Sequence, residues 1–393
     1  MKKRYLFNEI ARYLDHKNAL VITGMRQVGK TTLMKQLFET VSGPKLWFDL
    51  ENPLEMKIFE NIDYDGIYQE LLRRTAVPER ERLFVFIDEI QNLPQITRVI
   101  KYLLDKYGVK FIVTGSSNYY LRNLFPESLS GRKFLFVLPP MDFQEILYFK
   151  DKAGYIQREE NTFDPAPNNM IDYKRFEGDY NEYLEFGGLP EVVLTPDVKT
   201  KKEVLNNIFT SFFQKDLRLL ADITDVRELR DLILLLVPRT GNIIEITKLS
   251  SALGITRQKV YNYLEFLQGI FFIRLVPKFS SSVDRAVAGG KKVYFADNGI
   301  LNTIGRVNDG QLFENAVANQ LARYGELSYY NKRNSAEIDF ILNKEAAIEV
   351  KLNGSRQEYD KLVKLSASLG IGRNYLISLK NSDSAPVISP QYI

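Results

Sequence analysis

Gly24, Gly29, Lys30 and Thr31 stand in the spacing Gly-x-x-x-x-Gly-Lys-Thr within Ala19–Leu33. That spacing suits the binding of a phosphate chain. The two glycines let the backbone turn tightly and bring its N–H groups against phosphate oxygens. Lys30 can set a compact positive charge between β- and γ-phosphates, and Thr31 offers a hydroxyl to Mg²⁺. Gly24, Met25, Arg26, Gln27, Val28, Gly29, Lys30, Thr31 and Thr32 therefore form the expected nucleotide cradle. The apolar run Leu20–Ile22 reads as a buried strand, and Thr32–Phe38 as a helix whose N-terminal dipole faces the anion. A glycine-rich turn that matched by accident would lack that strand and helix.

Two carboxylates, Asp88 and Glu89, end the apolar run that starts at Leu83. An acid at a strand end downstream of such a loop holds Mg²⁺, and the next acid orients and activates the attacking water. The plainer alternative is an ordinary pair of strand-end acids. Ser116, Ser117 and Asn118 follow the next apolar run and could touch the γ-phosphate or the water, with Asn118 taken as the catalytic candidate; equally, they could cap a helix. Arg132, in Leu129-Ser-Gly-Arg, precedes a further strand. It is a candidate arginine finger, acting in its own subunit or on a neighbour's nucleotide, or else a solvated surface arginine.

A second constellation lies near the C-terminus: Glu314, Asp339, Glu349 and Lys351. Asp339 falls in a strand, Ala336–Leu342, and Glu349 and Lys351 end the next, Ala346–Leu352. Period-two alternation puts Glu349 and Lys351 on one face. Glu314 belongs to a helix, Leu312–Leu321, that can lean over the same sheet, and Gln357 could add a polar contact from the following helix. Carboxylates on adjacent strands with a lysine two residues on resemble the core of restriction-endonuclease-like, PD-(D/E)xK nucleases. The resemblance implies a second Mg²⁺ site held by the acids, with the lysine positioning water or steadying developing charge. A charged strand pair making surface ion pairs is the alternative, and such folds also serve as docking modules.

Between the two sites, Ile246–Pro277 resembles a winged helix-turn-helix. Thr247–Leu253 is the first helix, Gly254-Ile255-Thr256 the turn with Thr256 as cap, Arg257–Gln268 the second helix, and Phe271–Val276 the wing strand. Arg257, Gln258, Lys259, Tyr261 and Asn262 are the candidate DNA contacts. Packing between domains is the competing role.

The elements that must position these residues follow from the pattern. Buried strands are expected at Lys45–Leu50, Leu83–Glu89, Lys110–Asn118 and Phe134–Leu138, alternating with helical stretches at Met1–Asp15, Glu51–Leu72 and Ile100–Lys106. Near-continuous apolar strands between helices argue a parallel sheet covered on both faces. Asp151–Asn181 is polar and reads as an insertion or linker, followed by helices at Tyr183–Phe186, Lys201–Leu220 and Val226–Leu236. A chain of 393 residues is long for one core. Four parts are expected: 1–150, 151–240, 241–285 and 286–393.

Composition excludes several chemistries. Without cysteine there is no disulfide, thiolate metal site or cysteine nucleophile. The single histidine, His16, sits in a polar turn and excludes histidine metal clusters and Ser-His triads. No apolar run reaches the roughly 20 residues that span a bilayer. The start, Met-Lys-Lys-Arg-Tyr-Leu, is too short and polar for a signal peptide, so a cytoplasmic location is expected. A net charge of +4 permits nucleic-acid binding without arguing for it.

Taken in order, the phosphate loop, Asp-Glu strand end, Thr-Gly-Ser tip, Leu-Ser-Gly-Arg, Leu-Pro-Pro-Met-Asp-Phe-Gln-Glu and Phe-Gly-Gly-Leu-Pro-Glu resemble the prokaryotic AAA-like P-loop ATPases joined to a C-terminal domain of unknown function. The likeness spans nearly the whole chain, Asp151–Asn181 least; Met25 stands where the family carries proline. It implies an α/β fold: a P-loop NTPase sheet of the additional-strand, catalytic-glutamate type, then a helical and winged-helix region, then a restriction-endonuclease-like α/β domain. It also implies ATP, rather than GTP, as the nucleotide. The function expected is ATP hydrolysis with Mg²⁺, regulating the C-terminal region toward DNA or a protein partner. The alternatives are an ATP-dependent DNA-processing nuclease and a nucleotide switch that binds protein partners only. A finger acting in trans would require an oligomer.

Overall fold

Every residue of β1 (Ala19–Thr23) is buried, and so is every residue of β3 (Phe84–Asp88), as their unbroken apolar runs require. With β2 (Lys45–Asp49), β4 (Lys110–Gly115) and β5 (Lys133–Val137) they form one sheet in the order β2-β3-β4-β1-β5, and all the pairings are parallel. The strand β4 thus stands between the loop-bearing β1 and the carboxylate-bearing β3. This is the additional strand that the resemblance implies. The computed structural model describes residues 2–75, 81–115, 131–154, 163–165, 170–212, 226–280, 282, 289–332, 336–380 and 386–393. Two compact units are present: Met1–Pro139 with Glu265–Phe271, and Pro140–Leu264 with Phe272–Ile393.

In the first unit the helices are α1 (Tyr5–Ala11), α2 (Lys30–Thr40), α3 (Pro53–Phe59), α4 (Tyr64–Thr75) and α5 (Ile96–Tyr107). The helix expected over Met1–Asp15 is shorter. The stretch Glu51–Leu72 is two helices, because Asn61 and Asp63 turn the chain: Asn61 Oδ1 accepts from Asp63 N at 3.0 Å, and Asp63 Oδ1 from Gly66 N at 3.0 Å.

The second unit contains α6 (Phe143–Phe149), α7 (Met170–Phe186), α8 (Pro190–Leu194), α9 (Val198–Ser211), α10 (Val226–Leu236), α11 (Ile246–Leu253) and α12 (Arg257–Gly269), the last helix continuing into the first unit's segment. The polar stretch read as a linker up to Asn181 is partly helix. α7 buries Tyr173, Asp179 and Tyr180, whose hydroxyls and carboxylate carry partners inward: Tyr180 donates to Gln320 Oε1 at 2.8 Å, and Asp179 pairs with Lys152 at 2.5 Å. Polar composition hid these contacts.

Downstream, β6 (Ile273–Val276) pairs antiparallel with β7 (Lys292–Phe295). The boundary expected at 285/286 therefore falls between two paired strands. After α13 (Asn298–Ile304) and α14 (Asp309–Leu321) come β8 (Leu327–Lys332), β9 (Ala336–Leu342), β10 (Ala346–Asn353), α15 (Arg356–Ala367), β11 (Arg373–Lys380) and β12 (Val387–Ile388). They build a mixed sheet, β12-β11-β10-β9-β8, antiparallel at β8/β9 and β9/β10 and parallel at β10/β11 and β11/β12. The segment after β6 joins the hairpin to this sheet: Tyr329 N donates to Pro277 O at 3.0 Å and Phe279 N to Tyr329 O at 2.6 Å.

The Phe-Gly-Gly-Leu-Pro-Glu motif has a packing explanation. Met141 N donates to Gly188 O at 2.7 Å, and Gly188 N donates to Asp297 Oδ2 at 2.7 Å. A Cβ on Gly188 would stand 2.0 Å from Met141 O; on Gly187, whose φ is +71°, it would stand 2.2 Å from Asp297 Oδ1. Asp297 also caps α13 through Ile300 N, and burial, opposed by these backbone donors, pushes its carboxyl up to about 6. Gly188→Ala is expected to destabilise the chain by about 2 kcal/mol or more. Urea denaturation followed by circular dichroism measures this, and an unchanged midpoint would contradict the packing argument.

Candidate functional site

The turn after β1 takes backbone angles that its glycines make accessible. Gly24 has φ +147°, and a Cβ there would lie 2.2 Å from Leu138 O, so no larger residue fits against the end of β5. Gln27 adopts φ +62°, and Gly29, at φ +95°, is the N-cap of α2 and has no side-chain acceptor to offer its amides. Amides at a helix start without a side-chain cap suit an anion. Arg4, itself buried, braces the loop: its guanidinium donates to Val28 O at 3.0 Å and to Pro139 O at 2.8 Å. Lys30 is 6% exposed, and its ammonium donates to Gly24 O at 3.0 Å and Met25 O at 2.9 Å. Thr31 follows it on the first turn of α2, partly exposed. These residues fit a phosphate chain with its Mg²⁺.

Asp88, buried at the end of β3, accepts from Thr114 Oγ1 and, at 3.2 Å, from Glu89 N. Glu89 takes φ 54° and ψ 49°, a left-handed conformation unusual for a residue with a side chain, and starts the short turn Ile90–Asn92. That bend takes its carboxylate off the strand direction. Gln91 donates to Glu89 Oε2. Burial raises the Glu89 carboxyl above its ordinary range; Lys30, the Gln91 bond and Arg26 pull it down and Asp88 pushes it up. A carboxyl so raised is better placed to accept a proton near neutrality. Thr114, Gln91 and Arg4 were not singled out from sequence. The threonine was quoted within the Thr-Gly-Ser tip, but only the neighbouring strand shows its partner. Ser116, Ser117 and Asn118 lie outside the described residues.

The role expected of Arg132 within its own subunit is corrected. Its carbonyl accepts from Ala19 N at 2.9 Å, and the register pairs Lys133 with Ala19. It therefore sits at the amino end of β1, and five residues of strand, roughly 16 Å, separate it from the phosphate loop. Its guanidinium pairs with Asp105 at 2.7 Å, both side chains about 40% exposed. Arg132 does not serve the nucleotide of its own subunit.

In the second unit, Glu314, Asp339, Glu349 and Lys351 do converge. The pairing of Ile348 with Phe340 sets Glu349 beside Asp339, and Lys351 Nζ lies 2.7 Å from Glu349 Oε1 and 3.4 Å from Asp339 Oδ2. Val350 N donates to Asp339 Oδ2 at 2.9 Å. Three residues not singled out by sequence reading join them. Lys292, 3% exposed on β7, places Nζ 2.6 Å from Glu337 Oε1, 3.5 Å from Glu314 Oε1 and 3.9 Å from Asp339 Oδ1. Tyr294, two residues on and so on the same face, donates to Glu314 Oε1 at 2.6 Å. Glu337 alternates with Asp339 and was legible on that ground; Lys292 was not, because it arrives from another part of the chain. The residues of the expected second metal site thus have two lysines, Lys292 and Lys351, among their acids. The acids are arranged around ammonium groups, and among the described residues no group of three or more acidic side chains is set to hold a metal ion. Gln357 is exposed on the first turn of α15.

The turn between α11 and α12 has Gly254 at φ +66°, and Thr256 Oγ1 caps α12 by accepting from Lys259 N at 3.2 Å. Arg257, Gln258, Tyr261 and Asn262 are exposed on α12, with Gln258 donating to Asn262 at 3.0 Å. Lys259 instead pairs with Glu228 of α10 at 2.5 Å.

A family model described as an AAA domain matches residues 16–147, and two described as domains of unknown function, DUF8612 and DUF4143, match residues 177–311 and 309–386. Among solved structures, the Walker-type ATPase of Pyrococcus abyssi aligns with a TM-score of 0.50 at 13% identity, over 77% of this chain and 95% of its own. Fold and loop together define an AAA-like P-loop protein. An uncharacterized protein of Methanocaldococcus jannaschii is 30% identical over 385 residues, covering 92% of this chain and 82% of its own length. Another, of Haemophilus influenzae, is 26% identical over 356 residues, covering 87% and 84%. The chain belongs to the same family as the Methanocaldococcus protein, and its first part is the AAA domain of that AAA-like P-loop ATPase family. Lys292 falls in the second matched segment, while the carboxylates it faces fall in the third.

The acidic cluster has a pH signature. Burial first, and Asp339 next, push both Glu314 and Glu349 up to about 7, against the lowering effects of Lys292 and Lys351 respectively. Protons retained on folding stabilise the native state; for these groups that contribution is complete below pH 4.5 and is lost as pH rises through about 7. Glu349→Gln should therefore flatten the decline in unfolding free energy between those limits. Urea melts of both proteins at pH 5 and pH 7.5 measure it, and equal declines would refute the assignment.

Proposed function

We propose that this chain hydrolyses ATP with Mg²⁺ and that its nucleotide state regulates a winged-helix and nuclease-like C-terminal region directed at DNA or a protein partner. The observation that carries the reading is the meeting, at the carboxyl ends of β1, β4 and β3, of the phosphate loop, Thr114 and the Asp88–Glu89 pair. The loop amides and the start of α2 bind the phosphates. Lys30 exchanges its two carbonyl acceptors for β- and γ-phosphate oxygens, which carry fuller charge. Thr31 and Asp88 would hold Mg²⁺, which neutralises phosphate charge when bound. Glu89 orients a water and accepts its proton as the oxygen attacks the γ-phosphorus, with ADP leaving. Thr114 and Gln91 keep the two carboxylates in place. The choice of ATP over GTP rests on family resemblance.

Glu89→Gln is expected to lower turnover at least about 100-fold while ATP binding is retained. Thr114→Val should lower kcat about 10-fold with little change in nucleotide affinity, since it supports the acids rather than the phosphates. Turnover assays beside fluorescent-nucleotide titrations measure both. Full activity in Glu89→Gln would remove its assignment.

DNA is favoured over a protein target by the exposed polar set Arg257, Gln258, Tyr261 and Asn262 on α12, behind a capped turn and before the β6–β7 hairpin. Because Glu228 already neutralises Lys259, Arg257 is the stronger phosphate contact of the two. Arg257→Ala should weaken duplex DNA binding and reduce its salt slope by about 1, with Lys259→Ala weaker in effect. Fluorescence anisotropy across a salt series measures this. Unaltered binding in Arg257→Ala would point to a protein partner instead.

A further inference from the structure

We propose that Lys292 is the resident cation of the acidic cluster, taking the position that a divalent ion would hold in a metal-dependent nuclease. The inference rests on the nuclease-like reading of this region and is independent of the ATPase site. The helix and strand order α14-β8-β9-β10-α15-β11 carries Glu314, Asp339, Glu349 and Lys351 to one face, which is the arrangement that resembles a metal nuclease. Lys292 comes from outside that set. Its ammonium is within 4 Å of three different carboxylates, Glu337, Glu314 and Asp339.

The backbone holds it there. Lys292 starts β7, which is paired with β6, and its flanks are pinned: Ile244 N donates to Lys291 O at 2.9 Å and Gly241 N to Val293 O at 2.9 Å. The ammonium also stands 5.5 Å from the centre of the Tyr329 ring, whose hydroxyl donates to Gly290 O at 2.7 Å. A buried ammonium with these partners has little freedom to swing aside. A divalent ion bound by the same oxygens would meet a like charge at contact range, and the carboxylates could not satisfy both. Lys351 does not hold that position: it is more exposed and lies at the edge, against Glu349 and Asp339. Lys292 and Lys351 then supply the positive charge that a metal ion would bring to these carboxylates, and cleavage by a metal-activated water is closed to the cluster while Lys292 is present.

The test is Mn²⁺ binding to the full chain without nucleotide, read from the free-ion electron paramagnetic resonance signal. Wild type, Asp339→Asn, Lys292→Gln and Lys292→Gln/Asp339→Asn are compared. Wild type and Asp339→Asn should give superimposable titrations. Lys292→Gln should gain one ion per chain, bound at least about tenfold more tightly than any residual wild-type binding, and the double variant should lose it. An ion lost from wild type on Asp339→Asn would overturn the proposal while leaving the nuclease-like reading standing. A folded Lys292→Gln that gains no ion would overturn both. Should Lys292→Gln fail to fold, the wild-type and Asp339→Asn comparison still decides, together with plasmid cleavage in Mn²⁺. Cleavage by wild type that Asp339→Asn abolishes refutes the proposal.

Discussion

A buried ammonium is stable only where the chain surrounds it with oxygen, because desolvation of the charge is otherwise prohibitive. This constraint organises both units. Lys110, fully buried at the start of β4, donates to the carbonyls of Tyr13, His16 and Asn18 at 2.8, 2.7 and 2.6 Å, so the turn after α1 is tied to the sheet, although burial still lowers the amine to about 7. Lys201 donates to Val192 O at 2.6 Å and pairs with Glu182 at 2.9 Å, holding α9 to its neighbours. The kind of oxygen decides what such a lysine can do. Lys30 is met by loop carbonyls, which carry partial charges, and a phosphate can outcompete them. Lys292 is met by carboxyl groups, which can carry a full charge, and the result is a closed ion cluster.

The same contrast separates structural motifs from chemical ones. Phe-Gly-Gly-Leu-Pro-Glu and Leu-Pro-Pro-Met-Asp-Phe-Gln-Glu have the look of site motifs, yet both are explained by backbone proximity and capping. Gly188 and Met141 exchange main-chain contact, Asp142 caps α6 through Glu145 N at 2.8 Å, and Arg323 pairs with Asp142. Glycine is required at 187 and 188 because other atoms occupy the space of a Cβ. Gly24 obeys the same rule against Leu138 O, but there the constraint shapes the phosphate loop.

Strand direction settles roles that residue type leaves open. In a parallel sheet the residues at carboxyl ends share one edge, so Thr114 and Asp88 meet while Arg132, at an amino end, is carried to the opposite edge. The register therefore sets Thr114, and not Arg132, beside the carboxylates of its own subunit. In the mixed sheet of the second unit, the antiparallel pairing of β9 with β10 brings Asp339 beside Glu349 although ten residues separate them in the chain.

Local patterns alone determined the phosphate loop, the alternation of buried strands with helices, the Asp88–Glu89 strand end, and the shared face of Glu349 and Lys351. These depend on backbone angles and on periods of two and 3.6 residues, which are written in neighbouring positions. Tertiary structure decided the place of Arg132, the helix hidden in the polar stretch before Phe186, the support of Asp88 by Thr114, and the entry of Lys292 among the carboxylates. Each of these joins residues from separate elements, and a charge shows its partner only when packing has removed the water between them.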